Sequence, residues 1–162
     1  FQKIFAIASK IQNPEGRMQL IKKNNKLIIV DYAHTPDALY KTISEIKSFF
    51  NKKVNLVFGC GGNRDSSKRR TMGKIANNLC EKVYITDDNP RYENPKKIRL
   101  QIKSTCPKAT VIASRDIAIK KAIQSLQGQI LLIAGKGHEN YQLIKDKRIP
   151  FSDYRYAKKY LK

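Results

Sequence analysis

The sequence has few cysteines and lacks any long apolar segment. Cys60, Cys80 and Cys106 are its only cysteines, and no two of them form a Cys-x-x-Cys pair. A disulfide framework and a zinc site are therefore not expected. No apolar run approaches the roughly 20 residues that a membrane-spanning helix needs, and no export signal is visible near Phe1. These absences predict a soluble protein of the reducing cytoplasm.

Acidic residues are also scarce. Lysine and arginine number 33 against 13 aspartate and glutamate residues, which gives a formal charge of +20. Such a charge attracts polyanions, so a basic nucleic-acid-binding domain is one alternative. However, the basic residues are scattered, and no aromatic-basic RNA signature, zinc finger or recognition helix is present. We expect only weak, salt-sensitive association with nucleic acid, and interpret the charge as a solvated surface or an aid in binding a phosphate-rich ligand.

The length of 162 residues suits one domain. Short apolar runs rich in valine and isoleucine alternate with segments of helical periodicity. The runs are too short for helices and do not alternate with polar residues, which is typical of buried parallel strands. This order predicts an α/β fold, a Rossmann-like open, mostly parallel sheet with helices on both faces. The predicted strands are residues 27–30, 54–58, 83–85, 110–112 and 130–133.

Several helices are predicted from their start signals. The clearest is Thr35-Pro36-Asp37, which combines an N-cap, a proline at the first helical position and an early acid. Asn94-Pro95 opens another helix in the same way. Gly128 is expected to end the helix that starts at Ser114. The other predicted elements are helices over residues 68–79 and from Ser152, and a short antiparallel pair at one edge, residues 141–144 and 148–151.

Polar residues follow the strands, at the edge where ligands bind in open α/β sheets. Asp31 and His34 precede a helix N-terminus, a position that favours anions. Taken singly, Asp31 could satisfy backbone donors and His34 could simply pack. Gly59-Cys60-Gly61-Gly62 lets the backbone approach a ligand closely, and Arg64 can hold a carboxylate or phosphate by two parallel hydrogen bonds.

Two further strand ends carry charged groups. Asp88-Asn89-Pro90-Arg91 presents an acid, an amide and a guanidinium in a rigid turn. This set suits a zwitterion, and a local ion pair in an exposed turn is an equally good interpretation. Gly135-Lys136-Gly137-His138-Glu139 combines close backbone approach with charge, but no segment forms a complete P-loop or dinucleotide motif. Four strand ends are thus expected to meet at one polar crevice.

Five segments, in their order and spacing, resemble the Mur ligases, and among them the MurE type, over nearly the whole chain. That family has one domain for the UDP-linked precursor, a central ATPase domain and a C-terminal domain for the incoming amino acid. The resemblance implies that residues 1–15 end the central domain or its linker, and that residues 16–162 form the C-terminal, amino-acid-binding domain. The five segments are Gly16-Arg17-Met18, residues 31–37, residues 59–65, Asp88-Asn89-Pro90-Arg91 and residues 135–139.

The resemblance also implies an activity. Enzymes of this type use ATP and Mg²⁺ to join meso-diaminopimelate to UDP-MurNAc-L-Ala-D-Glu in peptidoglycan biosynthesis, through an acyl phosphate. The P-loop and the carbamylated lysine that helps hold magnesium lie in the central domain. This domain is therefore expected to carry no catalytic or metal-binding residue, to be inactive alone and to work with its own N-terminal and central domains. A related domain for L-lysine or another amino acid is the nearest alternative.

Roles follow from the matching motifs, residue by residue. Arg17, Asp31 and His34 are the expected ATP contacts. Arg91 is the expected determinant of selectivity, because a guanidinium can grip the second carboxylate of diaminopimelate, which lysine lacks. Among the expected amino-acid contacts, Glu139 and the Gly135 carbonyl are suited to an ammonium group. Lys136 and His138 also match the family, without an assigned role. The expected amino-acid contacts are Arg64, Asp88, Asn89, Pro90, Arg91, Gly135 and Glu139.

Overall fold

The computed structural model describes residues 14–161. Most of the segment predicted to end a central domain, residues 1–13, lies outside the described residues. The strands are β1 (Gln19–Lys23), β2 (Lys26–Asp31), β3 (Val54–Phe58), β4 (Val83–Ile85), β5 (Thr110–Val111), β6 (Ile130–Ala134), β7 (Tyr141–Ile144) and β8 (Lys147–Pro150). The helices are α1 (Pro36–Phe50), α2 (Lys68–Leu79), α3 (Pro95–Lys103), α4 (Arg115–Gln124) and α5 (Asp153–Tyr160).

Six of the strands form one sheet in the order β1-β2-β6-β3-β4-β5. β1 is antiparallel to β2, and all other neighbours in this sheet are parallel. Helices α1, α2 and α3 cover one face, whereas α4 and α5 cover the other. The predicted α/β, Rossmann-like layout is confirmed. It places the carboxyl ends of β2, β6, β3 and β4 side by side at one edge of the sheet.

The central strands are buried on both faces. In β6, Ile130 and Leu132 belong to the core under α1, α2 and α3, while Leu131 and Ile133 belong to the core under α4 and α5. All four side chains are fully buried. Each such burial stabilises the fold by roughly 1.5–3 kcal/mol relative to exposure. Helices on both faces therefore account for apolar runs that show no polar alternation.

The helix start signals are confirmed by their caps. Thr35 Oγ1 accepts a hydrogen bond from Ala38 N (3.3 Å) at the start of α1. Asn94 Oδ1 accepts one from Lys96 N (2.9 Å) at the start of α3. Such caps each stabilise a helix by about 1 kcal/mol because they satisfy orphan backbone donors. Serine side chains cap the remaining two predicted starts, Ser114 at α4 and Ser152 at α5.

The predicted stop of α4 is wrong. The helix ends at Gln124, and Ser125 N closes its last turn on the Lys121 carbonyl at 3.1 Å. Gly128 (φ 95°) lies beyond this point, in the turn that leads into β6. Its left-handed conformation redirects the chain into the strand and does not close the helix.

β1 is an edge strand that the sequence analysis does not predict. Lys23 pairs with Lys26, so a two-residue turn of Asn24 (φ 48°) and Asn25 (φ 60°) joins β1 to β2. Two successive positive φ angles are typical of a type I′ hairpin turn, and asparagine tolerates them. Ile21 is the one buried residue of the strand, which explains why no apolar run marks it in the sequence.

The predicted antiparallel pair is present as a separate two-stranded sheet. Ile144 of β7 lies opposite Lys147 of β8, so the turn between them is Lys145-Asp146 and the second strand begins one residue earlier than predicted. A parallel bridge joins Ile144 to Arg91. The hairpin therefore lies against the loop that follows β4.

All three cysteines are buried in the core under α1, α2 and α3 and are free thiols. Burial raises the pKa of Cys60 and of Cys80 to about 12. Because the thiolate is the reactive form, neither is poised as a nucleophile at neutral pH. No helix within residues 14–161 is both long and apolar enough to cross a membrane.

A buried ion pair links α4 to α5 at the end of β6. Arg115 and Asp153 are both 0% exposed, and Arg115 Nε lies 2.7 Å from Asp153 Oδ1. Arg115 Nη2 lies 2.8 Å from Oδ2 and donates to the Ala134 carbonyl at 2.9 Å. Removing one partner of such a pair leaves an uncompensated buried charge, which is strongly destabilising.

We predict that Asp153→Ala lowers the free energy of unfolding by about 3–5 kcal/mol. The measurement is urea unfolding of this chain, followed by circular dichroism. Asp37→Ala serves as the control, because Asp37 forms an exposed pair with Lys41 at 2.9 Å, and such pairs contribute about 0.5 kcal/mol. Equal losses from the two substitutions would contradict the assigned role of the buried pair.

Candidate functional site

A polar cavity of about 590 Å³ opens where the carboxyl ends of β2, β3, β4 and β6 meet. The four loops after these strands converge there, as predicted. Most of the predicted site residues line the cavity; Arg17, Asp31 and Pro90 do not. The lining residues are Tyr32, His34, Gly61, Arg64, Asp65, Lys68, Asp88, Asn89, Arg91, Gly135, Glu139 and Tyr141.

The side chain of Lys136 joins the loops after β4 and β6. It is 0% exposed. Its Nζ lies 2.8 Å from Glu139 Oε2, 3.0 Å from Asn89 Oδ1 and 3.6 Å from Asp88 Oδ1. Asn89 Nδ2 donates to the same Glu139 oxygen at 2.8 Å. Two carboxylates and an amide therefore compensate the desolvation of one buried cation.

The two carboxylates of this cluster differ in their electrostatic environment. Burial acts to raise the pKa of Glu139, but the hydrogen bond and charge of Lys136, with the hydrogen bond from Asn89, lower it below its ordinary value. Burial raises the pKa of Asp88, and the charges of Arg115 and Lys136 oppose that rise only in part. Within residues 14–161, Glu139 Oε1 forms no hydrogen bond. Glu139 thus offers an ionised carboxylate with one oxygen available.

Arg91 has a backbone conformation that its neighbours stabilise. Its φ is 51°, in the left-handed region. Arg91 N donates to the Leu143 carbonyl (3.0 Å), and Lys145 N donates to the Arg91 carbonyl (2.8 Å). Arg91 Nη1 donates to the Gly62 carbonyl at 2.8 Å, and a Cβ at Gly61 would lie 2.9 Å from that nitrogen. The other guanidinium N–H groups bond to no group within the described residues and can grip a carboxylate.

The hairpin of β7 and β8 holds the loop after β4 along its length. Gln142 Nε2 donates to the carbonyls of Asp87 (3.2 Å) and Asp88 (2.9 Å). Leu143 N donates to Asn89 Oδ1 at 2.9 Å. With the two backbone hydrogen bonds at residue 91, these contacts fix the loop that carries four of the predicted site residues.

A second buried cation braces the loop after β3. Arg69 is 0% exposed, and its two terminal nitrogens bind the two carboxylate oxygens of Glu93 at 2.6 and 2.7 Å. Arg69 Nη2 also donates to the Gly61 carbonyl at 3.1 Å, while Glu93 Oε2 accepts from Asn63 N at 3.2 Å. The hydrogen bond from Arg69 lowers the pKa of Glu93. Arg64, farther along this loop, is exposed and lines the cavity.

Two of the three predicted ATP contacts lie around Tyr32. The guanidinium carbon of Arg17 is 4.9 Å from the centroid of the Tyr32 ring, and the ring centroids of Tyr32 and His34 are 4.5 Å apart. Arg17 and His34 are exposed. Both are therefore accessible to an anion at this side of the cavity.

Asp31 is buried and has a different environment. Its Oδ2 accepts from Met18 N (2.9 Å) and its Oδ1 from Ala33 N (2.8 Å). Its carboxylate thus satisfies backbone donors, the interpretation that the sequence left open. The turn that it holds packs closely against the loop after β6, since a Cβ at Gly16 would lie 2.0 Å from His138 N.

Two charged residues that complete the site, Lys136 and Arg69, have no role that the sequence predicts. Lys136 only matches a family motif, and no motif contains Arg69. Lys136 is 47 positions from its acceptor Asn89, and Arg69 is 24 positions from Glu93. No local sequence pattern connects residues so far apart. The residues that precede Lys136, 130–135, are all uncharged, and this is a hint of its burial.

Comparison with known proteins identifies the family. Residues 16–137 match the family described as Mur ligase, glutamate ligase domain. The chain is 52% identical, over 98% of its length, to the UDP-N-acetylmuramoyl-L-alanyl-D-glutamate--2,6-diaminopimelate ligase of Rickettsia felis. It is 42% identical, over 97% of its length, to the ligase of the same name from Rhizobium meliloti. It covers 31% and 33% of those proteins, so it spans about a third of their length.

Solved structures agree with this match. A structure of a UDP-N-acetylmuramoyl-L-alanyl-D-glutamate--2,6-diaminopimelate ligase gives a TM-score of 0.86 at 38% identity, over 99% of this chain and 34% of that one. Folylpolyglutamate synthase from Thermotoga maritima gives a TM-score of 0.62 at 23% identity, over 83% of this chain and 31% of that one, which shows a shared fold alone. Since the family match covers all four loops of the cavity up to Gly137, the chain belongs to the Mur ligase family and carries the C-terminal domain of that family.

Proposed function

We propose that this chain is the amino-acid-binding domain of an ATP-dependent ligase that joins meso-diaminopimelate to UDP-MurNAc-L-Ala-D-Glu. The observation that carries the proposal is a single cavity in which the carboxylates of Asp88 and Glu139 and the guanidinium of Arg91 are all present. An amino acid at neutral pH carries both an ammonium and a carboxylate. The cavity offers a partner of opposite charge for each.

The ammonium partners are in the loops after β4 and β6. Glu139 Oε1 is available to accept, and Asp88 and Gly135 line the same cavity. Gly135 lies against Asp88, since a Cβ at Gly135 would be 3.0 Å from Asp88 Oδ2. Asn89 Nδ2 uses one of its two hydrogens on Glu139 and keeps the other for a ligand. Pro90 does not line the cavity, and we assign it the role of fixing the loop conformation.

The carboxylate partners explain a preference for diaminopimelate over lysine. Diaminopimelate has a carboxylate at both ends, and two guanidinium groups, Arg64 and Arg91, line the cavity. A guanidinium can bind a carboxylate through two parallel hydrogen bonds. Lysine lacks the second carboxylate, so its binding would leave one cation without its partner. Arg91, which the hairpin holds rigidly, is the proposed selectivity residue.

We assign Arg17 and His34 to contacts with the phosphates of ATP, because the guanidinium of Arg17 and the imidazole of His34 are both exposed beside the cavity. ATP supplies the phosphoryl group that activates the precursor carboxylate for attack by the amine. Asp31 is assigned an indirect part in ATP binding, since its carboxylate accepts a hydrogen bond from the Met18 amide and so holds the turn that carries Arg17.

No group of three histidine, cysteine, aspartate or glutamate side chains within residues 14–161 could hold a metal ion, and we assign Mg²⁺ to the central domain.

The proposal includes the rest of the enzyme. Residues 1–15 are assigned to the end of a central domain or its linker, and residues 16–162 to the domain described above. The central domain is the proposed source of the P-loop and of the precursor-facing residues, so residues 16–162 are expected to be inactive alone. We assign the reaction to the cytoplasm, where ATP and nucleotide-linked precursors are available.

We predict that Arg91→Ala in the complete ligase raises the KM for meso-diaminopimelate about 100-fold, because a bidentate charge-assisted contact contributes about 2–3 kcal/mol. The KM for ATP should change less than about 3-fold, since Arg91 lines the cavity and Arg17 does not. Steady-state kinetics with meso-diaminopimelate and L-lysine gives both values and the selectivity.

Arg70→Ala is the matched control, because Arg70 is exposed on α2 and does not line the cavity. It should leave every KM unchanged. A diaminopimelate KM that Arg91→Ala leaves intact, or a wild-type enzyme that prefers L-lysine, would overturn the proposed substrate.

A separate prediction concerns the ATP contacts. Arg17→Ala and His34→Ala should each raise the KM for ATP about 10-fold and change the KM for the amino acid less than about 3-fold, because each removes one charge-assisted contact to phosphate. Asp31→Asn should give a smaller effect of the same kind, since its amide still accepts one backbone hydrogen bond. Steady-state kinetics with varied ATP checks this, and a selective effect on the amino acid would contradict it.

A further inference from the structure

Lys136 lies too deep to contact an amino acid in the cavity. Its side chain is 0% exposed, and the residue is absent from the cavity lining, although both Gly135 and Glu139 belong to it. Its charge is nevertheless directed at the site, because its ammonium donates to Asn89 and Glu139 and forms an ion pair with Asp88. Lys136 therefore acts on residues that face the ligand and not on the ligand.

The hydrogen bonds of Lys136 select one oxygen of Glu139. Lys136 Nζ and Asn89 Nδ2 both donate to Glu139 Oε2, each at 2.8 Å. Two donors on one oxygen fix the carboxylate against rotation and leave Oε1 without a partner within the described residues. Asn89 Oδ1 accepts in turn from Lys136 Nζ (3.0 Å) and Leu143 N (2.9 Å). The amide is thus oriented by the same ammonium and by the hairpin.

The charge of Lys136 also permits two carboxylates to share one cavity wall. The negative charges of Asp88 and Glu139 repel each other, and each charge acts to raise the pKa of the other carboxyl group. Lys136 is within 3.6 Å of an oxygen of both, so it offsets this repulsion. Without Lys136, the two carboxylates that face the ammonium of a ligand would be less ionised and less ordered.

We propose that Lys136 is a positioning residue of the amino-acid site: its buried ammonium fixes Glu139 and Asn89 and leaves Glu139 Oε1 to accept the ammonium of the incoming amino acid. This inference rests on the proposed function for the existence of an amino-acid substrate. It does not depend on which amino acid is joined, because the contact involves an ammonium that diaminopimelate and lysine share.

The first test is Lys136→Met in the complete ligase, assayed with whichever amino acid the wild-type enzyme joins. Methionine matches the apolar stem of lysine in length and shape and removes the terminal ammonium. The KM for the amino acid should rise about 100-fold, with less than about 3-fold change in the KM for ATP. Lys74→Met, on the exposed side of α2, is the control and should behave as wild type. A wild-type KM in a folded Lys136→Met enzyme would overturn the proposal.

A double-mutant cycle with Glu139→Gln separates positioning from a general effect on folding. If Lys136 acts through Glu139, then Glu139→Gln and the double variant should have amino-acid KM values within about 3-fold of each other. Fully additive losses would show that Lys136 acts independently of Glu139, which would contradict the proposal. The double variant also removes the uncompensated carboxylate that would otherwise destabilise the fold.

The pH dependence gives an independent readout. Asp88, Asn89, Arg91, Arg115 and Lys136 are the charged or hydrogen-bonding groups that interact with Glu139. Lys136 lowers the pKa of Glu139, so its removal should let Glu139 take up a proton at higher pH. As the pH is lowered from neutrality toward the ordinary glutamate pKa of 4.5, the amino-acid KM should therefore begin to rise at a higher pH in Lys136→Met than in wild type. Parallel profiles would count against the proposal.

If Lys136→Met does not fold, Lys136→Gln replaces it, because the glutamine amide can donate to Glu139 Oε2 without a charge. Its amino-acid KM should rise about 10-fold, and an unchanged KM would overturn the inference. Failure of the proposed function has a different signature. It would appear in the wild-type enzyme, as the absence of amide formation with either diamino acid.

Discussion

A lysine ammonium that is withdrawn from water has to be surrounded by acceptors, because an unpaired buried cation costs several kcal/mol. Lys136 meets this requirement with groups from two loops, Asp88 and Asn89 after β4 and Glu139 after β6. Both loops therefore converge on that nitrogen, which joins two walls of the cavity. The hairpin of β7 and β8 follows from the same constraint, since Leu143 N binds the Asn89 oxygen that Lys136 also uses. The polar wall of the site is therefore ordered by charge, while apolar packing orders the sheet beneath it.

The same arrangement recurs at two other strand ends. Arg69 pairs with Glu93 and binds the Gly61 carbonyl in the loop after β3. Arg115 pairs with Asp153 and binds the Ala134 carbonyl at the end of β6. Arg69, Arg115 and Lys136 are among the most fully buried side chains of the described residues. Among the described residues, a chain with a large excess of basic residues thus buries these three, and each joins neighbouring segments by directional hydrogen bonds.

The sequence predicts the layers and the place of the site, because both depend on local patterns. Apolar runs give β2, β3, β4 and β6, and caps such as Thr35 and Asn94 give the helix starts. The loops that follow these strands then meet by topology alone. β1 has a usable signal in Asn24-Asn25, a two-residue turn, but too little buried surface to show a pattern. The role of Lys136 has no local signal, since its partners come together only after the sheet is formed. Which residues touch ATP or the amino acid stays a prediction.

The hairpin holds the loop after β4 mainly through main-chain atoms. Leu143 and Lys145 contribute backbone groups, and Gln142 adds one side-chain amide. Among the described residues, the side chain of Arg91 gives this framework only its contact with the Gly62 carbonyl. The side chain at position 91 can therefore be exchanged by mutation while the supporting frame persists. If residue 91 selects the amino acid as proposed, a single substitution there can change the preference without first rebuilding the loop that displays it.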